Sequence, residues 1–258
     1  MQAERHLEIL RAEGGHIAAI PADALDAPVP TLPDWTVERV VRHLGKIHQW
    51  VAATLTTDPS GPPVDTSTLA GIPAGPACLP AYRQALDATL RAFDEVGTTA
   101  SAPSFTGETV DTAWWARRQA HEVAIHRIDA HDAIHARGGP APMPLAVDGA
   151  ADGIDEWARV FLAVRFAQRF GDLPPALEGR TIHIHGTDDP APPDGAEWLL
   201  TFDQGRVEVV ATHAKGDVAL RGPAQDLLLA LWRRRPLESL DVIGARSVAD
   251  DLLDAARF

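Results

Sequence analysis

The hydrophobic period of this chain changes once, near Pro144, and that change limits the folds open to it. Before it, apolar residues recur three and four apart, as one face of a helix requires. Residues 4–20 carry Leu7, Ile9, Leu10, Ile17 and Ile20 on a first helix, with Gly14-Gly15 as a weak point. Trp35-Thr36 opens a second helix, where Thr36 suits the N-cap and Glu38 the first turn. Val37, Val40, Val41, Leu44, Ile47 and Val51 give that helix a broad apolar face. Segment 58–80, dense in Pro, Gly and Ser, reads as a long surface loop. Tyr82, Leu86, Leu90, Phe93 and Val96 mark a third helix, and a fourth is predicted from near Thr109 toward Ile134, closed by Arg137-Gly138-Gly139-Pro140. Four helices joined by loops predict an N-terminal all-α four-helix bundle over residues 1–145.

After Pro144 the pattern becomes mixed. A helix near 148–170 precedes segments of period two, Thr181–His185 and Trp198–Phe202. Asp203-Gln204-Gly205 reads as a hairpin turn into Arg206–Val210, with a further short strand at 217–222 and helices near 224–234 and 247–257. Residues 146–258 are therefore expected to form a smaller, separate α+β domain.

Charge and cysteine content narrow the function. A formal net charge of −13 argues against nucleic acid and anionic membrane surfaces as partners. Cys78 is the only cysteine, so neither an internal disulfide nor a thiolate metal cage can form, in keeping with a reducing cytoplasm. No apolar run reaches the length of a membrane helix, and the first residues lack the pattern of a signal peptide, so a soluble, cytoplasmic protein is expected.

The stretch Arg118-Gln119-Ala120-His121-Glu122-Val123-Ala124-Ile125-His126-Arg127-Ile128-Asp129 carries the chemistry. Arg118, Glu122, His126 and Asp129 fall on one ridge of a helix, and a carboxylate with an imidazole one turn away can serve a divalent ion such as zinc. The zincin pattern is absent, because position 125 is Ile. A third ligand is needed. His43 and His48 diverge by roughly 140° on the second helix, so only one can serve; His43 is expected to point inward and His48 to lie toward the edge of the apolar stripe. Asp129 would orient His126 or join two helices. The bland alternative is that Glu122 and His126 form an exposed helix-stabilising pair. His131 with His135, and His183 with His185 on a strand, are weaker pairs; the latter shows no carboxylate nearby in sequence. Trp114-Trp115 read as bundle core and rim rather than a ligand platform. Cys78 lacks a cue for activation, and Arg233-Arg234-Arg235 read as a solvated helix end or a carboxylate-binding group.

The block Trp35-Thr36-Val37…Arg42-His43-Leu44-Gly45, followed by Arg118…His121-Glu122…His126-Arg127-Ile128-Asp129-Ala130, resembles the mycothiol-dependent maleylpyruvate isomerase family. Leu228–Leu237 is similar to a helix of that family's second domain. The resemblance implies a DinB-like four-helix bundle followed by a sterol-carrier-like domain. It implies a metal held by His43, Glu122 and His126, zinc by preference, with mycothiol as thiol cosubstrate. It also implies a catalytic arginine, best matched by Arg234, although three adjacent arginines leave the register open. Many relatives have Trp-Gly-Arg where this chain has Trp232-Arg233-Arg234, which puts the backbone there in question. The activity so implied is cis–trans isomerisation or S-transfer on a small electrophilic acid. A hydrolase using metal-bound water, or a small-ligand-binding protein with a structural metal, would use the same residues.

Overall fold

The fold is described from a computed structural model over residues 1–59 and 64–257. The chain divides into two compact units, Met1–Met143 and Pro144–Phe258.

The first unit is built on four long helices: α1 (Ala3–Ala18), α2 (Val37–Leu55), α3 (Cys78–Val96) and α4 (Thr112–Ala136). Helix α1 packs on α3 and α4, and α2 packs on the same two, so the four share one core. Leu10, Ile17, Val37, Val41, Leu44, Val51, Tyr82, Phe93, Trp115 and Val123 fill it. Thr36 caps α2 as expected, its hydroxyl accepting from the Arg39 N–H at 3.4 Å. At Gly45 the backbone of α2 lies so close to Ile72 that an added Cβ would sit 2.8 Å from its side chain. The connection after α2 is thereby pinned beside His43.

Two boundaries differ from the sequence-based expectation. Helix α3 begins at Cys78, because Pro80 lies in its first turn, where no donor is needed. The segment 58–80 is therefore shorter as a loop, and it contains short 3₁₀ turns at Thr66–Thr68 and Gly75–Ala77; residues 60–63 of it lie outside the described residues. Helix α4 starts at Thr112 rather than Thr109. Residues Thr109–Asp111 form strand β2, paired antiparallel with β1 (Ser101–Pro103), and the Asp111 carboxylate caps α4 by accepting from the Trp114 N–H at 3.0 Å.

The second unit contains a five-stranded sheet in the order β5-β4-β3-β6-β7. Its strands are β3 (Thr181–Gly186), β4 (Glu197–Asp203), β5 (Arg206–Val210), β6 (Val218–Gly222) and β7 (Asp241–Gly244). Only β3 and β6 pair in parallel. The hairpin turn between β4 and β5 is as expected, with Gln204 and Gly205 both at positive φ. Strand β7 is an addition to the sequence reading. The predicted helix near 148–170 is α5 (Val147–Glu156), a π-helical stretch (Trp157–Arg165) and α6 (Phe166–Phe170). Helix α7 (Ala224–Leu231) covers β3 and β6, α5 packs on α7, and α8 (Arg246–Ala255) packs on β6. Ile182, Ile184, Leu200, Phe202, Leu220, Leu227 and Trp157 form this unit's core. Among the described residues no helix is long and apolar enough to cross a membrane.

Candidate metal centre

Helices α2 and α4 bring His43, Glu122 and His126 together, with one ligand atom from each lying within 4.8 Å of the others. Glu122 Oε1 accepts from His43 Nε2 at 2.9 Å, and His126 Nε2 lies 3.5 Å from the same oxygen. The other oxygen, Oε2, accepts from Arg118 Nη2 at 2.7 Å. Behind His126, its Nδ1 meets Asp129 Oδ2 at 2.9 Å, while Thr31 Oγ1 donates to Asp129 Oδ1 at 3.4 Å. Asp129 thus orients His126, the first of its two expected roles.

The electrostatics follow from this packing. Burial pushes the Glu122 carboxyl up, but the Arg118 guanidinium and the two imidazoles outweigh it and hold the group well below the usual carboxylate range. Burial works against a charged His126 too, yet hydrogen bonds to Asp129 and Glu122 overcome it and lift the imidazole to about 9. Without an ion, therefore, the site pairs an ionised carboxylate with a protonated His126 at neutral pH.

Aromatic groups wall the cluster. The Trp35 indole stacks on the His126 ring at 5.7 Å with an interplanar angle of 5°, and it meets His43 edge-on at 5.2 Å. The Arg39 guanidinium lies over the Trp35 ring as a cation–π contact, 4.9 Å from the ring centre. Beside His43 opens a cleft of about 790 Å³, lined by Trp35, Arg39, Arg42, Lys46, Ile72 and the single acid Glu38 among others. Sequence reasoning gave no role to Trp35 or Arg39, although both lie within a turn of the Thr36 cap.

His48 is placed otherwise than expected. It is fully buried, with Nδ1 2.8 Å from Gln119 Oε1, whereas the His43 side chain keeps 31% of its surface. On a helical wheel His48 falls near the middle of the Val37–Val41–Leu44 stripe and His43 on its flank, at about 100° per residue. Burial depresses His48 to about 4, so it is neutral, and it does not join the cluster. His121 is also outside that group of three; it packs edge-on against His6 of α1 at 5.8 Å.

The donor set suits zinc or a similar divalent ion: two imidazole Nε2 atoms and one carboxylate oxygen, with His126 Nδ1 already committed to a buried carboxylate. An ion held in tetrahedral geometry by these three donors would have one further position for a small molecule.

In the second unit, Arg233 takes φ +61 at the end of α7, in the left-handed region that favours glycine. The N–H groups of Arg234 and Arg235 both reach back to Leu229 O, at 2.7 and 3.2 Å, closing the helix. The Arg233 side chain donates to Leu253 O at 2.5 Å and pairs with Asp254 at 3.3 Å. Arg233 is thus tied to α8, whereas Arg234 is half-buried with Nη1 on Trp232 O at 2.8 Å. Replacing the expected Gly leaves the turn conformation in place.

The model of the mycothiol maleylpyruvate isomerase N-terminal domain matches residues 7–131, and that of the corresponding C-terminal domain matches residues 148–256. The chain belongs to the mycothiol-dependent maleylpyruvate isomerase family. Two solved structures share the fold. One is a mycothiol-dependent maleylpyruvate isomerase, 14% identical with a TM-score of 0.57. The other is a histidine-to-alanine mutant of a protein so named, 13% identical with a TM-score of 0.60. Each alignment covers 94% of this chain and 93% of the other. A search of curated protein sequences finds no match.

Proposed function

We propose that this chain is a cytoplasmic, metal- and mycothiol-dependent isomerase acting on a small unsaturated acid, with His43, Glu122 and His126 as ligands to zinc. The observation that carries the reading is the convergence of these three side chains from two helices, with Asp129 locked behind His126. Family membership supplies the thiol and the reaction class. A divalent ion at such a site supplies Lewis acidity that holds a thiol sulfur deprotonated at neutral pH.

The residues around it have separable tasks. Arg118 occupies Glu122 Oε2 and so leaves Oε1 as the donor oxygen. Asp129 fixes the His126 ring with Nε2 directed at the cluster. Trp35 lies flat against that ring and keeps water from it on one side. The cations Arg39, Arg42 and Lys46 give the adjacent cleft a potential that draws in carboxylates. By the family resemblance, Arg234 is the proposed partner of a substrate carboxylate. Addition of the thiol to the double bond would give an enolate. Rotation about the resulting single bond and loss of the thiol would complete isomerisation. S-transfer would release the adduct instead.

The test is metal analysis of untagged protein alongside thiol-dependent turnover of a cis-unsaturated acid. His43→Ala and His126→Ala should each lose the ion and the activity while remaining folded by circular dichroism. Mycothiol should raise the melting temperature of the zinc-loaded protein through ligand linkage. Variants that keep the full ion content of the parent at this site would refute the assignment. Turnover without any thiol would favour a hydrolase.

A further inference from the structure

A second group of ligand-type side chains lies wholly within the C-terminal unit: His183 and His185 on β3, Glu197 on β4, and His213 in the connection from β5 to β6. The sheet builds it. His185 and Glu197 are direct antiparallel partners, and His183 lies two residues back on the same face of β3. Ile182 and Ile184 point to the opposite face, into the core. The chain leaves β5 on one side of β4 and must cross both β4 and β3 to reach β6. That crossing carries His213 over the two strand histidines.

All three imidazoles converge on one atom. Glu197 Oε2 lies 3.0 Å from His183 Nε2, 3.0 Å from His185 Nδ1 and 2.5 Å from His213 Nδ1. The ring centres are mutually 5.4 to 5.7 Å apart. Three N–H donors on one carboxylate oxygen exceed its two lone pairs. A single cation in place of those protons, held by the three ring nitrogens and the carboxylate, removes that conflict. His183 is almost fully buried, with 6% of its side chain exposed, so the site is rooted in the sheet rather than on the surface.

We infer that His183, His185, His213 and Glu197 form a second, closed metal site, with three nitrogen donors and one oxygen donor, selective for zinc-class divalent ions. Four protein ligands leave no open corner, which marks a structural site. The ion fastens the β5–β6 connection across β4 and β3. It is separate from the His43–Glu122–His126 group in residues and in unit.

Metal stoichiometry of the untagged full chain tests this. After loading with zinc and desalting, the parent should carry two equivalents. His126→Ala should carry one, and His126→Ala combined with His185→Ala should carry none. His213→Ala removes an exposed loop ligand without touching a core, so its fold is not at stake. It should bind the second ion at least about tenfold more weakly than the parent. Cobalt loaded into His126→Ala should give the visible absorption of a tetrahedral site, and adding His213→Ala to that variant should abolish it. A parent with one ion that His126→Ala abolishes would overturn this inference and leave the proposed active site standing. One ion that survives His126→Ala but not His185→Ala would support it and overturn the first assignment. An ion content unaffected by both His185→Ala and His213→Ala would refute it.

Discussion

Asp129→Asn gives the sharpest test of how the N-terminal cluster is tuned, because it removes one charge and leaves the volume unchanged. The buried Asp129 carboxylate contacts His126 Nδ1 at 2.9 Å, which helps lift that imidazole to about 9. An ion must displace the proton before His126 can ligate. Between pH 6 and 8 the parent should therefore gain about tenfold in apparent zinc affinity per pH unit on account of His126, roughly a hundredfold in all. In the variant the imidazole falls back toward its ordinary range near 6.5. Proton competition then changes affinity by only about fourfold over the same interval. Losing the carboxylate also weakens the ligand itself, by about 10- to 100-fold. The two effects oppose each other. The variant should bind zinc up to about tenfold more weakly at pH 8, whereas at pH 6, where proton competition costs the parent about 250-fold more, it should bind more tightly than the parent. Competition against a chromogenic chelator at each pH measures this. His43 is unchanged in both proteins, so the difference in slope belongs to His126. Parallel pH profiles, displaced by a constant factor, would falsify the reasoning.

Other consequences follow from buried or strained positions. Burial holds His48 neutral in the fold, with its value depressed to about 4, while the unfolded chain protonates it below about 6.5. Its contribution is present above pH 6.5 and lost as the pH falls to 4. The parent should thus lose about 3 kcal/mol more than His48→Gln across that window, measured by urea denaturation of the N-terminal unit; equal losses would contradict a neutral His48. Arg233→Gly should be more stable than Arg233→Ala by about 1 kcal/mol, since both lack the guanidinium and only the cost of positive φ differs. Equal melting temperatures would mean that the turn relaxes. Arg118→Gln should raise the Glu122 carboxyl toward its ordinary range, so zinc affinity should fall most steeply at acid pH; an unchanged acid limb in the binding profile would show that Arg118 does not set the Glu122 charge.

What the sequence reveals about the two clusters depends on whether spacing along one element is sufficient. Glu122 and His126 share a helix face whatever else happens, since four residues make nearly one turn. Their pairing is legible, and His43 joins it because α2 packs on α4. The burial of His48 follows from its place at the centre of the α2 stripe, in angle between Val41 and Leu44, although reading the stripe from Val40 and Ile47 puts it at the edge. Helix α4 offers no such guide: Arg118, Gln119, His121, Arg127 and Asp129 are all buried, so polar residues surround it and no apolar face declares which side meets the core. The Arg127 guanidinium, for instance, is satisfied by Glu13 on α1 at 2.5 and 3.2 Å, a partner 114 residues away. The second cluster is harder still. His183 and His185 announce a shared strand face, but the carboxylate opposite them arrives through the register of β3 against β4, and His213 through a crossover whose direction follows from sheet order. Register is set by the whole pattern of inward-facing residues, Ile182 and Ile184 against Trp198 and Leu200, and not by any residue that ligates. A site assembled by long-range pairing is therefore invisible to motif spacing, even when each of its ligands is in plain view.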